Sequence, residues 1–223
     1  MHYNRTVIWV GQFGIESGQT REETPWAGVY PDRGHDEEAS DLYVVVEPAL
    51  PGSEEFCGEL KAAIGAVFHK SKVSLTGGIL RALKAAHEHL RDWNRRSIRE
   101  QRVAAGVSCL AVRGREAYLA QVAPANAAVL HYGFLNLIQP SLAGALEPLG
   151  LHEEFWPDFT RVEMEEGDRV LLMTPALAGT LSEEETSAIL KLPAEEVLAA
   201  VYRRARSLPN CAALLVAAVP DEG

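Results

Sequence analysis

Short apolar runs alternate with polar turns along most of the chain, and this pattern predicts a series of strands. Runs that are rich in β-branched residues and bounded by Gly, Pro or Asp are typical of strands. They occupy residues 6–10, 28–30, 42–46, 103–112, 116–122, 127–132, 159–163, 169–173 and 211–219. We expect the first strand to end at Gly11 and the third at Glu47 and Pro48, because glycine and proline interrupt strands.

Apolar residues that recur every three or four positions predict four amphipathic helices between these strands. Ser53 is a candidate N-cap for the first helix, and Ser74 or Thr76 for the second. The third and fourth helices are predicted at residues 182–190 and 194–205. The helices therefore come in two consecutive pairs.

Three further segments refine this pattern. Ser182 and Glu185 have the spacing of a capping box, which predicts the start of the third helix. Residues 31–40 are too polar to bury and predict an exposed loop. Residues 133–158 contain several prolines and are interpreted as loop with a short helix.

Length and charge set limits on the protein and its partners. With 223 residues, 47% of them hydrophobic and 23% charged, the chain predicts a single globular domain over residues 1–223. A net charge of −10 and a pI of about 5.2 argue against nucleic acid or an anionic membrane as a partner. No apolar run has the length of a membrane-spanning helix, and residues 1–5 lack the pattern of a signal peptide, so we expect a cytoplasmic protein.

The cysteines indicate neither a disulfide framework nor a zinc site. Cys57, Cys109 and Cys211 are far apart in the sequence and form no Cys-x-x-Cys pair. We expect all three to be small buried core residues.

Residues 165–185 carry the first resemblance to a known family. Gly167 and Asp168 form a turn before an apolar strand, and a helix that opens Ser-x-Glu-Glu follows at Ser182. This layout resembles a segment of the metal-dependent serine/threonine protein phosphatases of type 2C (PPM), in which the strand leads into Ser-Asp-Gly-Leu. Here the loop reads Thr-Pro-Ala-Leu, so Pro175 stands where the family has a metal-binding aspartate.

The order of the predicted elements is similar to that of the same family. The resemblance implies an α+β fold: a four-layer α/β/β/α sandwich of two antiparallel sheets flanked by antiparallel helix pairs. It covers nearly the whole chain.

Two further segments place family positions in the first part of the chain. Residues 18–26 resemble the opening Gly-x-x-Arg-x-x-Asn-x-Asp, in which Arg21 matches the arginine that contacts the substrate phosphate. Trp26 then stands where a metal ligand would be. Residues 44–48 are similar to a strand that ends in Asp-Gly, so Glu47 occupies the position of a bridging aspartate and Pro48 replaces the glycine.

Two segments in the second part of the chain also match. Residues 118–126 resemble Tyr-x-Ala-Asn-x-Gly-Asp-Ser-Arg, which puts Pro124 at another acidic position. Residues 208–212 are similar to the closing Asp-Asn-Ile-Thr. Pro209 therefore replaces the last metal-binding aspartate, and Asn210 is retained.

These replacements change the expected chemistry. The family uses two divalent cations to position the phosphate and to lower the pKa of the attacking water. Mg²⁺ and Mn²⁺ need several anionic oxygens, and proline and tryptophan side chains offer none. We expect no cofactor and no catalytic residue, and Glu47 is the one remaining carboxylate candidate for a metal. The prolines at these positions either form a closed or apolar contact rim or reflect neutral drift.

The sequence therefore predicts a catalytically inactive phosphatase-like domain that binds a protein partner in bacterial signalling. The alternative is a residual Mn- or Mg-dependent protein serine/threonine phosphatase that uses Glu47 with Asp168, Glu165 or other loop carboxylates. A cluster of arginines near the end of the second helix is either a solvated helix end or a docking patch for an acidic partner. Its members are Arg91, Arg95, Arg96, Arg99 and Arg102.

Overall fold

The computed structural model describes residues 6–32, 39–71 and 74–221. The described strands are β1 (Thr6–Glu16), β2 (Gln19–Arg21), β3 (Ala27–Tyr30), β4 (Asp41–Pro48), β5 (Ala105–Arg113), β6 (Glu116–Val122), β7 (Asn126–His131), β8 (Phe134–Ile138), β9 (Asp158–Glu163), β10 (Arg169–Met173) and β11 (Cys211–Pro220). The helices are α1 (Glu54–His69), α2 (Leu75–Asn94), α3 (Pro175–Ala178), α4 (Glu183–Leu190) and α5 (Ala194–Ala205). Short 3₁₀ turns lie at Arg99–Gln101 and Ala143–Ala145.

The strands form two antiparallel sheets, as predicted. One sheet has six strands in the order β2-β1-β11-β10-β7-β8, and the other has five in the order β3-β4-β5-β6-β9. The α1 and α2 pair packs on the five-stranded sheet, and α4 and α5 pack on the six-stranded sheet. The predicted α+β sandwich is confirmed.

Side-chain alternation along β11 shows how the layers are built. Leu214 and Val216 belong to a core that also contains the five-stranded sheet, α1 and α2. Leu215, between them, belongs to a second core with α3, α4 and α5. Successive strand residues point to opposite faces, so this one strand contributes to both cores. Burial of each such side chain contributes about 1.5–3 kcal/mol.

The helices begin where the sequence predicts. The hydrogen bonding at the start of α1 differs from the prediction. The Ser182 and Glu185 capping box is present, and the Ser74 hydroxyl accepts a hydrogen bond from the Gly77 amide. Ser53 precedes α1 but does not cap it. Its hydroxyl instead accepts from the Ala104 amide at 3.0 Å, which joins the start of α1 to the entry of β5.

The predicted ends of β1 and β4 were wrong. β1 continues through Gly11 to Glu16, and a Cβ atom at Gly11 would lie 2.7 Å from the Leu198 side chain. This glycine lets the side chain of Leu198 on α5 pack closely against β1, and it does not end the strand. β4 likewise continues through Pro48, which pairs with Ala105 at the end of the sheet.

Two elements in predicted loops were missed. Residues 133–158 contain β8, which a two-residue turn joins to β7. Tyr132 and Gly133 in that turn both have positive φ, 48° and 78°, as a type I′ hairpin turn requires. The loop after β10 contains α3, which begins at Pro175, where proline is favoured.

Other sequence expectations lie partly outside the described residues. These include residues 1–5 and positions 33–38 of the predicted exposed loop. Within the described ranges, no helix is both long and apolar enough to cross a membrane. All three cysteines are buried and free.

Asp168 connects two turns at the end of the sandwich where β10 begins. Its side chain is buried, and its carboxylate accepts hydrogen bonds from the amides of Glu165 at 2.9 Å and Tyr132 at 3.1 Å. His131 Nδ1 lies 2.7 Å from the same carboxylate. Asp168 therefore holds the β7–β8 hairpin against the turn that leads into β10.

We predict that Asp168→Ala lowers the free energy of unfolding by about 3 kcal/mol or more, because it leaves two amide donors without their acceptor. Urea unfolding monitored by circular dichroism measures this loss. Asp92→Ala is the matched control, since Asp92 is exposed and pairs with Arg95, and its loss costs less than about 1 kcal/mol. Equal effects of the two variants would contradict the structural role of Asp168.

Candidate functional site

A cavity of about 410 Å³ lies at one end of the sandwich, where the ends of β4, β10 and β11 meet. It is lined by Trp26, Glu47, Pro48, Ala49, Leu50, Pro51, Glu54, Thr174, Asn210 and Cys211. Four of the predicted positions are thus brought together. A larger cavity of about 850 Å³, between β8 and α4, contains none of them.

Trp26 is held in the cavity wall by its backbone and its neighbours. Its carbonyl accepts a hydrogen bond from the Val46 amide at 2.7 Å, and its own amide donates to the Thr24 hydroxyl at 3.2 Å. The Lys61 ammonium donates to the carbonyls of Thr24 and Ala27. Trp26 is only 4% exposed, so the indole is a fixed part of the wall.

Two carboxylates line the cavity. Glu47 lies near the end of β4 and pairs with Gly106, and Glu54 is the first residue of α1. Burial, together with the nearby charge of Glu54, raises the pKa of Glu47 to about 7. Sequence reasoning missed Glu54. The short connection from β4 to α1 was the available signal, because it brings the first turn of α1 close to the end of β4.

The polar groups of two other loops form hydrogen bonds that hold neighbouring strands and turns together. The Thr174 hydroxyl, next to Pro175, accepts a hydrogen bond from the Ala212 amide at 3.2 Å. The Pro209 carbonyl accepts from Gly18 at 2.8 Å. These contacts tie β10 to β11 and the β1–β2 turn to the start of β11.

Asn210 and Pro124 also have structural contacts at this end. The Asn210 side-chain oxygen accepts a hydrogen bond from the Ser17 amide at 2.9 Å. Pro124 packs on Gly106, where an added Cβ atom would lie 1.9 Å from the Pro124 carbonyl oxygen. Because Gly106 is also the partner of Glu47, Pro124 lies behind the strand end that positions this carboxylate.

Arg21 does not line the cavity. It lies exposed on the edge strand β2, and its guanidinium donates to the Gln19 side chain at 3.2 Å. The arginine expected at a phosphate-contact position therefore points along the sheet edge.

The alternative set of metal ligands is wrong in two positions. Asp168 and Glu165 precede β10, whereas Thr174, which lines the cavity, follows it. A strand rises about 3.3 Å per residue, so β10 separates them from the cavity by about 15 Å. They cannot bind the same ion as Glu47.

The donor set does not fit a pair of divalent cations. Glu47 and Glu54 are the carboxylates in the lining, while Trp26 and Pro48 offer no side-chain oxygen. Over the described ranges, no group of three or more His, Cys, Asp or Glu residues could hold a metal ion. Two divalent cations carry four positive charges, and the two carboxylates of the lining offset at most two of them.

The thiols near the cavity are chemically inert. Burial raises the pKa of Cys57 to about 12, with Glu47 and Glu54 adding to the effect. Burial also raises the pKa of Cys211 to about 11. Both are thiols at neutral pH, and a thiol is neither a strong nucleophile nor a metal ligand.

Comparisons with known proteins identify the fold. No protein-family sequence profile and no curated protein sequence matches the chain. Solved serine/threonine phosphatases match it in structure. The S. agalactiae enzyme has a TM-score of 0.75 at 13% identity over 95% of this chain and 99% of its own, and Stp1 from Staphylococcus aureus has 0.75 at 13% over 99% of each.

A third match is a phosphatase solved with metal. The catalytic domain of PstP, in complex with two manganese ions, has a TM-score of 0.63 at 17% identity, over 96% of this chain and 99% of its own. At such identities the likeness establishes the fold, which is that of the type 2C phosphatases.

We predict that Gly106→Ala lowers the free energy of unfolding by about 3 kcal/mol, because the new methyl group overlaps the backbone of Pro124. Thermal and urea unfolding measure this loss. Gly58→Ala is the control, since its Cβ atom would be 3.6 Å from Pro25 and alanine favours helix, with an expected gain of about 0.5–1 kcal/mol. A neutral Gly106→Ala would contradict the close packing.

We predict that Glu47→Gln stabilises the protein at pH 8 by about 1–3 kcal/mol and has little effect below pH 4.5. The raised pKa of Glu47 means that the folded protein holds this proton more tightly than the unfolded chain. Stability of the wild type therefore falls as the pH rises from about 4.5 through 7, and glutamine removes this loss. Unfolding curves of both proteins between pH 4.5 and 8 test the sign, and a variant that is less stable at pH 8 would contradict it.

Proposed function

We propose that this chain is a catalytically inactive type 2C phosphatase-like domain that acts as a protein-binding scaffold in bacterial cytoplasmic signalling. The observation that supports inactivity is the donor set of the cavity. Hydrolysis of a phosphate ester on this fold needs metal ions to activate water. Two carboxylates beside an indole and a proline are too few ligands for that task.

The charge of the cavity also disfavours a phosphate substrate. Its lining contains Glu47 and Glu54 and no lysine, arginine or histidine. A phosphate dianion would meet the charge of Glu54 and that of the ionised fraction of Glu47 without a compensating cation in the lining, which costs binding free energy. Arg21, at the position expected to contact phosphate, is exposed and outside the lining.

Exposed apolar side chains near the same end support a role in protein binding. Leu142, Leu146 and Trp156 are 55%, 54% and 61% exposed. They lie in the segment between β8 and β9, which the hydrogen bond from the Ala123 amide to the Ala145 carbonyl ties to the loop after β6. Exposed apolar groups gathered in one segment are typical of interaction surfaces.

The arginine cluster near the end of α2 gives weaker support for protein binding than these exposed apolar side chains. Arg91 donates to the carbonyl of Glu153, and Arg95 pairs with Asp92 at 2.8 Å. These contacts favour a solvated helix end over a docking patch for an acidic partner.

The residual phosphatase stays as the second candidate because Glu47 and Glu54 both face the cavity. It would need ligands in addition to these two carboxylates. One assay separates the two candidates.

We predict no Mn²⁺- or Mg²⁺-dependent hydrolysis of an aryl phosphate or a phosphoserine peptide above the level of Glu47→Gln. The reason is the shortage of oxygen ligands for a metal. The S. agalactiae phosphatase serves as the active control under the same conditions. Melting temperatures with and without 1 mM metal, about the level at which weak carboxylate sites fill, report binding independently of turnover.

Metal-dependent hydrolysis that Glu47→Gln or Glu54→Gln abolishes would overturn the proposal. It would show that the two carboxylates belong to a working metal site. Glu59→Gln, an exposed change elsewhere on α1, controls for nonspecific effects of charge removal.

A further inference from the structure

The edge strand β8 lacks the usual protection against pairing with another strand. Its sequence, Phe-Leu-Asn-Leu-Ile, contains no charge, proline or glycine. Phe134 is 76% and Leu137 is 51% exposed. Proteins normally shorten, charge or cover their sheet edges, because a free edge presents unpaired amides and carbonyls to other chains.

The other three edge strands of the described sheets each have one of these protections, although residues 6–13 of β1, which extend beyond β2, pair only with β11. β2 has only three residues, and β9 carries Asp158, Arg161 and Glu163. β3 is covered from α1, where Lys61 donates to one of its carbonyls and His69 lies 3.0 Å from another. β8 has none of these three protections.

The hairpin register shows which backbone groups of β8 are free. His131 and Phe134 flank the two-residue turn, and such a pair exchanges hydrogen bonds. Hydrogen bonding then alternates along the strand, so the amides and carbonyls of Leu135 and Leu137 point away from β7. The amide of Tyr132 fits this alternation, since it donates to Asp168 on the β10 side.

A cavity lies on each face of β8. On the outer face a cavity of about 850 Å³ separates it from α4 and is lined by Glu183, Glu184 and Lys191. On the inner face a cavity of about 370 Å³ lies between β8 and β9, where the apolar side chains of Leu137, Ile138 and Val162 line it beside the charged Arg161 and Glu163. A strand added beside β8 would direct its alternate side chains into these two cavities.

We propose that β8 is a docking edge for an extended segment of a protein partner, with apolar residues toward the inner cavity and basic residues toward Glu183 and Glu184. The docked segment forms main-chain hydrogen bonds with Leu135 and Leu137. The negative charge beside β8 and the net negative charge of the chain favour a basic partner over a second copy of this chain. The two glutamates are exposed and outnumber Lys191, and the net charge of −10 opposes self-association.

This inference deepens the proposed scaffold role, and it rests on that role only for its biological meaning. The test uses a synthetic eight-residue peptide of alternating valine and lysine, with a valine and glutamate peptide as its counterpart. Neither peptide contains a phosphoester, and no divalent metal is present. Failure of this test is therefore distinguishable from failure of the proposed inactivity.

We expect the lysine peptide to bind at least about tenfold more tightly than the glutamate peptide by fluorescence anisotropy. Hydrogen exchange should slow at the amides of Leu135 and Leu137. Leu137→Pro should weaken binding about tenfold or more, because it removes one outward donor and leaves the bonds to β7 in place. Combined Glu183→Lys and Glu184→Lys should reverse the preference between the peptides.

The charge-reversal variant keeps the test decisive if Leu137→Pro fails to fold, since both glutamates are exposed on α4. Glu195→Lys with Glu196→Lys, an equal change of charge at the start of α5, is the matched control and should keep the preference for the lysine peptide. Equal binding of the two peptides, or no protection at Leu135 and Leu137, would overturn the proposal. A concentration-dependent dimer that protects the same amides would overturn it as well, because the occupant would be a second copy.

Discussion

Burial of β11 on both faces is the constraint on which the rest of the structure depends. Leu214 and Leu215 are fully buried in two different cores, one between the sheets and one under α4 and α5. A strand with no polar side chain is stable when both of its faces are covered, and here the two covers are the other sheet and a helix pair. Gly11 and Gly14 on the neighbouring β1 allow Leu198 and Thr24 to approach closely, which closes the layers on this side.

The candidate site follows from that packing. Because the strands of both sheets are held in register by the cores, their ends and loops meet at one end of the sandwich. There the side chains complete the scaffold instead of presenting oxygen ligands. Trp26 is buried as a wall, the Thr174 hydroxyl bonds the β11 backbone, and Asn210 bonds the β1–β2 turn. The same loops that would expose metal ligands in an enzyme here satisfy backbone groups and fill space.

The charges in the lining make this cavity unsuited to binding phosphate. Two carboxylates face it without a neighbouring cation in its lining, and burial raises the pKa of one of them to about 7. A low-dielectric cavity strengthens both effects, because charge is poorly screened there. At an edge of the six-stranded sheet, β8 is largely apolar and exposed and lies beside two glutamates. The charges of the cavity therefore disfavour anions, and the exposed apolar surface of β8 is the basis of the proposed docking edge.

The sequence by itself determined the order of the long strands and of the four long helices, the capping box at Ser182 and the absence of side-chain oxygen at Trp26 and Pro48, because these depend on residue type and local spacing. Only the tertiary structure decided which groups meet. It brought Glu54 to Glu47 across the β4–α1 connection and separated Asp168 from both by the length of β10. It also showed that Gly11 is a packing contact and that β8 is a strand, since β8 is short and its exposed and half-buried residues do not alternate. Distances between groups far apart in sequence follow from sheet register and layer packing, which local patterns do not encode.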